Sequence, residues 1–178
     1  MKKRTDKKVI ALFIITGVIL FIFLGIKIYF DFFRDTSVKK QIDSIEYYGY
    51  TLEKRDNDIY KDYYKELNKT LGEKDINYSD YAKLMSKLFL IDLFTLDNKI
   101  TSSDIGGLQF VYTYFKEDFI NIAKTTLYST VESNIYNDRK QELPTVTNVE
   151  ITNIKTSTFT YKDEQYNSYE VSLNIEYQ

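Results

Sequence analysis

The side chains able to do chemistry in this sequence are carboxylates, hydroxyls and amines, because Cys and His are both absent. Their absence removes thiol nucleophiles, the Ser-His-Asp arrangement, His- or Cys-ligated zinc, His-ligated haem and any disulfide. The densest collection of oxygen-bearing side chains is DNKITSSDIGG, 97–107, which offers Asp97, Asn98, Thr101, Ser102, Ser103 and Asp104 beside the pair Gly106-Gly107. Such a loop could hold a cation or a sugar. The same residue types also build turns and caps, and glycines admit backbone angles that other residues avoid.

Two further acids stand out. Asp92 lies inside the apolar run LFLIDLFTL, where burial would raise its pKa and suit it to acid or base work, but no second carboxylate is tied to it by spacing. Asp56, Asn57 and Asp58 cluster like the start of a calcium loop without the glycine and the distal glutamate that such a loop needs. Capping of the helix that follows is their expected role. The sequence therefore assigns no catalytic residue, no cofactor and no metal site. Its candidate site is the loop carrying Asp97, Asn98, Ser103, Asp104, Gly106 and Gly107.

These groups must be positioned by a chain that begins with a membrane signature. VIALFIITGVILFIFLGIKIYF, 9–30, would rise roughly 33 Å as a helix, enough to cross the hydrocarbon layer with some tilt. Five basic residues and one acid precede it in 1–8, the pattern that keeps an N-terminus in the cytoplasm and sends the following domain outside. No small-residue cleavage site follows the run, so an uncleaved signal anchor is expected. Tyr29, Phe30, Phe32, Phe33 and Arg34 suit the outer interfacial zone. From Asp35 onward there are 17 basic and 24 acidic residues, a balance that opposes binding to nucleic acid.

Residues 31–44 read as a helical stalk, with Val38 and Ile42 spaced by four, and 45–178 as one α+β domain. A strand is expected over Ile45 to Lys54. The six tyrosines Tyr47, Tyr48, Tyr50, Tyr60, Tyr63 and Tyr64 in this region would serve either as core or as a glycan- or peptide-binding surface. A helix from Ile59 to Leu71 would bury Ile59, Tyr63, Leu67 and Leu71, and a second from Ser79 would bury Tyr81, Leu84, Met85, Leu88 and Ile91. Leu108 to Tyr112 reads as a short strand. A long helix over Thr113 to Ser133 would carry a core stripe of Phe115, Phe119, Ile122, Ala123, Thr126, Leu127 and Val131. After the polar connector 134–144, alternation predicts an antiparallel hairpin of Val146 to Tyr161 and Tyr166 to Tyr177. That hairpin should pack on the long helix with Ile45 to Lys54 as its third strand. About three helices on a small antiparallel sheet is the expected architecture.

This order of span, helices, long helix and C-terminal hairpin resembles the extracytoplasmic NTF2-like domains of single-pass bacterial membrane proteins, including bitopic subunits of conjugative type IV secretion machines. The stretch DLFTLDNKITSSDIGGLQFVY is also similar to uncharacterised membrane proteins of low-GC Gram-positive bacteria. With no recognisable catalytic set in the outer domain, the first expectation is a noncatalytic, single-pass envelope protein whose outer domain binds a protein partner or self-associates through its C-terminal strand edge. Two alternatives belong to other classes: a carboxylate-dependent enzyme on wall polymers using Asp92, Asp97 and Asp104, and a small-ligand pocket in an NTF2-like cone.

Overall fold

Ile45, Tyr50 and Leu52 are buried where a short antiparallel hairpin turns its inner face to the core. The strands are β1 (Gln41–Ile45) and β2 (Tyr50–Glu53), and the turn between them closes on Gly49, whose φ of 71° is costly for any residue with a Cβ. The computed structural model describes residues 40–178 together with Ile22 and Phe23, which are helical. The expected tail and, apart from those two residues, the expected span lie outside the described residues. Among the described residues no helix is long and apolar enough to cross a membrane. The expected stalk helix through Ser44 is instead strand from Gln41, and Ile42, thought to mark a helical stripe, is exposed. The expected strand over Ile45 to Lys54 is the turn and second arm of this hairpin.

Helix α1 (Asp58–Leu71) starts where Asn57 accepts the Tyr60 N–H at 3.0 Å, and it ends at Gly72, whose N–H reaches Asn68 O at 3.1 Å. Its buried stripe is Tyr60, Tyr64 and Leu67, one residue away from the expected Ile59, Tyr63, Leu67 and Leu71. The tyrosines can go inside because their hydroxyls find partners: Tyr64 donates to Tyr50 O at 3.0 Å, and Tyr60 meets Gln109 Nε2. Helix α2 (Tyr78–Phe94) is capped by Asn77, which accepts the N–H groups of Ser79 and Asp80, and it buries Leu84, Leu88, Ile91 and Leu93.

The long helix expected over Thr113 to Ser133 is broken. A 3-10 turn at Thr113–Phe115 leads into α3 (Lys116–Thr125), after which the chain runs in turns. Thr125 and Thr126 both donate their hydroxyls back to Ile122 O, at 3.2 and 2.6 Å, and Tyr128 N–H reaches Ala123 O at 2.9 Å. Ile122 O still accepts the Thr126 N–H at 3.0 Å, and the regular ladder ends beyond it, where the Tyr128 N–H skips back five residues. Ala123 and Val131 are buried as expected, but Phe115 and Ile122 are exposed, and the fully buried residue is Tyr128. Leu108–Phe110 is likewise a 3-10 turn rather than a strand.

The C-terminal hairpin is a ribbon of β3 (Val146–Tyr161) and β4 (Glu164–Tyr177). Lys162 and Asp163, with φ of 50° and 65°, form the two-residue left-handed turn that fits the twist of its arms. Irregularities at Thr147 and Thr152 each add one residue to β3. They keep Val146, Val149, Ile151 and Ile154 on one face although their spacing is not strictly two. That face packs on α2, where Val146, Val149, Leu173 and Ile175 join Leu84, Leu88 and Ile91 in one cluster. The expected packing on Thr113 to Ser133 is thus replaced by packing on α2. Nor does Ile45 to Lys54 join the ribbon as a third strand: among the described residues each of the two sheets has two strands.

Over residues 40–178 the fold is therefore α+β, with three helices and two small antiparallel sheets. Leu88 is 0% exposed at the junction of α2 and the ribbon, whereas Ile122 is 63% exposed. Leu88→Ala should cost about 2–5 kcal/mol of unfolding free energy, and Ile122→Ala about 0.5 kcal/mol or less. Denaturant titration of the two variants checks this. Equal losses would restore the helical stripe that the sequence suggests.

Candidate functional site

The loop at 97–107 is tied down from below by Asp92, which α2 delivers near its C-terminal end. Asp92 Oδ1 accepts Lys99 Nζ at 2.6 Å, and its Oδ2 accepts the Gly107 N–H at 2.6 Å. Lys99 is only 1% exposed, so its charge is balanced at close range inside the domain. The two glycines are required by this approach. A Cβ on Gly106 would stand 2.0 Å from Asp92 O, and one on Gly107, with φ 76°, would stand 2.7 Å from the Phe89 ring. Gly106 N–H donates to Tyr128 Oη at 3.0 Å, and that hydroxyl donates onward to Leu93 O at 2.7 Å. Burial pushes the Tyr128 hydroxyl above its ordinary pKa, so it stays protonated and able to donate.

A second tie runs to the end of β2. Arg55 forks onto Asp104, with Nη1 donating to Oδ2 and Nη2 to Oδ1, while its Nε reaches Glu53 Oε2 at 2.7 Å. Asp104 also accepts the Ile100 N–H at 2.9 Å. Asn98 and Arg55 exchange backbone and side-chain bonds, Arg55 Nη1 to Asn98 O at 3.3 Å and Asn98 Nδ2 to Arg55 O at 3.4 Å. Asp97 faces outward, its carboxylate 3.6 Å from Arg139, which also donates to the carbonyls of Asp97 and Lys99. Ser103 is exposed, with its N–H on Thr101 Oγ1 at 3.3 Å.

The predicted site residues are therefore divided. Asp104, Gly106 and Gly107 point inward with Asp92 and hold the loop, Asn98 helps close it, and Asp97 and Ser103 lie on the outside. They do not converge on one cleft. Among the described residues no group of three or more acids is arranged to hold a metal ion. Within 56–58, Asn57 is the cap, Asp58 is exposed, and Asp56 turns inward to accept the Glu53 N–H at 2.7 Å. Burial raises the Asp56 carboxyl to about 6; the Glu53 N–H opposes this, the charges of Asp92 and Glu53 add to it, and Lys99 also opposes it. Of the six tyrosines, Tyr50, Tyr60 and Tyr64 are core, Tyr48 and Tyr63 pack beside them, and Tyr47 is exposed.

Two features escaped the sequence reading. The Gln109 carboxamide lies along the outer edge of β2, accepting the Thr51 N–H at 2.7 Å and donating to Thr51 O at 3.2 Å, as a neighbouring strand would. A lone Gln in a 3-10 turn gives no sequence signal for this. At the far end of the ribbon, Tyr161 meets Tyr112, Tyr114 and Phe115 with ring centroids 5.7–6.3 Å apart in edge-on arrangements. Tyr161 lies on the face opposite the one that packs on α2, so the twist of the ribbon brings its other side to the protein there. The cluster YTYF at 112–115 could have been noticed, but only pairing register shows what it meets.

No protein-family model matches this chain, and neither a curated protein nor a solved structure is similar enough to carry a fold or a function across.

The geometry separates Asp92 from Asp97. Asp92→Ala leaves Lys99 buried without its counter-charge and should cost about 3–5 kcal/mol, whereas Asp97→Ala should change stability by about 0.5 kcal/mol or less. Chemical denaturation measures both.

Asp56 predicts a pH signature. Its carboxyl moves from 3.8 to about 6 on folding, so across that window the folded chain binds a proton that the unfolded chain has lost, and stability falls as pH rises. Asp56→Asn keeps an acceptor for the Glu53 N–H without the charge. It should match the parent near pH 4 and exceed it above pH 6 by at most about 3 kcal/mol, at about 1.4 kcal/mol per pH unit of displacement. A difference that does not vary with pH would show that Asp56 titrates normally.

Proposed function

We propose that this chain is a noncatalytic envelope protein, anchored by the apolar segment 9–30 as a single-pass span with its N-terminus in the cytoplasm. Its outer domain binds or assembles through the β3–β4 ribbon. The anchor and orientation rest on the apolar run and the basic residues before it; the binding role rests on the ribbon. From Lys155 through Glu170 nearly every residue is exposed, on both faces. A two-stranded hairpin with open edges is marginal on its own, and an edge is a template for another strand. The acids support the same reading from the other side. Asp92, Asp104 and Asp56 spend their oxygens on a lysine, an arginine and backbone N–H groups, which is what structural staples do.

The experiment is to shorten the ribbon. Ile154 and Val171 are direct partners, so replacing 155–170 by Asn-Gly gives a two-residue hairpin turn at that pair. The shortened chain should fold and stay in the membrane while losing its crosslinked adducts in intact cells. Asp104→Asn should keep them. A folded, ribbon-shortened chain that keeps every adduct would overturn the assembly role, and a folded Asp104→Asn chain that loses its cellular role would favour an enzyme.

A further inference from the structure

The two edges of the ribbon differ in charge. Among the described residues, no backbone hydrogen bond joins 148–160 to any element but β4, so the outer edge of β3 is open along that length. The outer edge of β4 is open as well. Its ionisable acids are Glu164, Glu170 and Glu176, and it carries no lysine or arginine. A second β4 placed beside it would bring like charges together. β3 instead carries one acid and one base, Glu150 and Lys155, on either side of the extra residue Thr152.

We infer that the assembly partner is a second copy of this chain, added antiparallel along the outer edge of β3 about the midpoint of Thr152 and Asn153. In this register Glu150 faces Lys155 of the second copy, Ile151 faces its Ile154, and Val149 faces its Thr156. Opposed residues must share a face of the sheet, and in an unbroken strand only residues an even number apart do so. Glu150 and Lys155 are five apart, and Ile151 and Ile154 are three apart. The irregularity at Thr152 supplies the missing step. Ile151 and Ile154 face Leu173 and Val171, two apart on β4, while Glu150 and Lys155 face Asn174 and Glu170, four apart on β4. β3 is thus complementary to itself because of its bulge.

The pairing completes a charge row. Lys155 already lies 3.0 Å from Glu170 across the ribbon, and Glu150 of the second copy would stand on its other side. Opposite charges so placed favour this register, whereas a pairing centred on Glu150 or on Lys155 would set like charges directly opposite. The arrangement is two-fold and closes on itself. It leaves only the acidic β4 edges outward, which discourages further strands from adding.

This inference rests on the ribbon being an assembly element, and its test uses the full chain in detergent or nanodiscs. Glu150→Lys and Lys155→Glu should each weaken dimerisation by about ten- to hundredfold, since two symmetric contacts change from attraction to repulsion. The chain carrying both substitutions should recover the parent affinity. The sequence has no cysteine, so Glu150→Cys combined with Lys155→Cys should give a covalent dimer under mild oxidation, whereas Glu170→Cys should not. Crosslinking through Glu170→Cys alone would move assembly to the β4 edge, overturning this inference but sparing the assembly role. A chain that stays monomeric at every concentration, with no rescue by the double substitution, would overturn the second copy as partner. Loss of the assembly role itself would appear separately, in the ribbon-shortened chain.

Discussion

Asp92 is where the domain's otherwise incompatible demands meet. An acid in the apolar final turns of α2 is expensive unless both oxygens are used, and both are, one by the Lys99 ammonium and one by the Gly107 N–H. That arrangement brings the loop so near the helix that residue 106 cannot carry a Cβ. It also places Lys99, whose carbonyl accepts Arg139, and Gly106, whose N–H engages Tyr128. The turns after α3 and the connector before the ribbon are thus tied to one carboxylate. The second cluster, of Leu93, Leu96, Ile105, Ala123, Tyr128 and Val131, forms around the same loop.

The loop has the composition of a ligand site and the wiring of a structural joint. Its inward acid, Asp104, is committed to Arg55 and its buried Lys99 to Asp92 of α2, while Asp97 and Ser103 lie on the outside. The ribbon has the opposite character. Its base is committed to α2, its tip rests on an aromatic cluster, and the stretch between leaves its backbone edges open. Hydrogen bonding is thus dense in the loop and sparse along the outer edges of the ribbon.

Elements with strong periodicity were legible in the sequence. Both early helices lie within a residue or two of expectation, and the hairpin from Val146 is found, with its second strand starting at Glu164 rather than at Tyr166. The stripe of α1 was read one residue out because aliphatic spacing was favoured over Tyr60 and Tyr64, whose burial depends on partners distant in the chain. The helix over Thr113 to Ser133 failed locally: at Thr126 the backbone leaves helical angles, with φ −118° and ψ −93°, beside two threonine hydroxyls bonded back to Ile122 O. Packing was the least legible level. Nothing in the hairpin's alternation tells whether α2 or α3 covers it, and the bulge at Thr152 is visible only as pairing. Of the candidate loop, the glycines and Asp104 could be located, but whether its acids face a cleft or a buried cation is decided by Lys99 and Arg55.

The placement of the ribbon's base has a consequence for synthesis. Leu84, Leu88 and Ile91 lie in α2, while Val146, Val149, Leu173 and Ile175, which cover them, come from the last strands of the sequence. At cellular rates of translation the covering residues emerge on the order of ten seconds after the helix they protect. Through that interval the nascent chain carries an apolar helix face with nothing native to lie on it, and so cannot settle into its final form. A hairpin with a two-residue turn closes in microseconds, so completion follows at once when those strands appear. The domain stays open until both strands of the ribbon have been made and then closes in a single step.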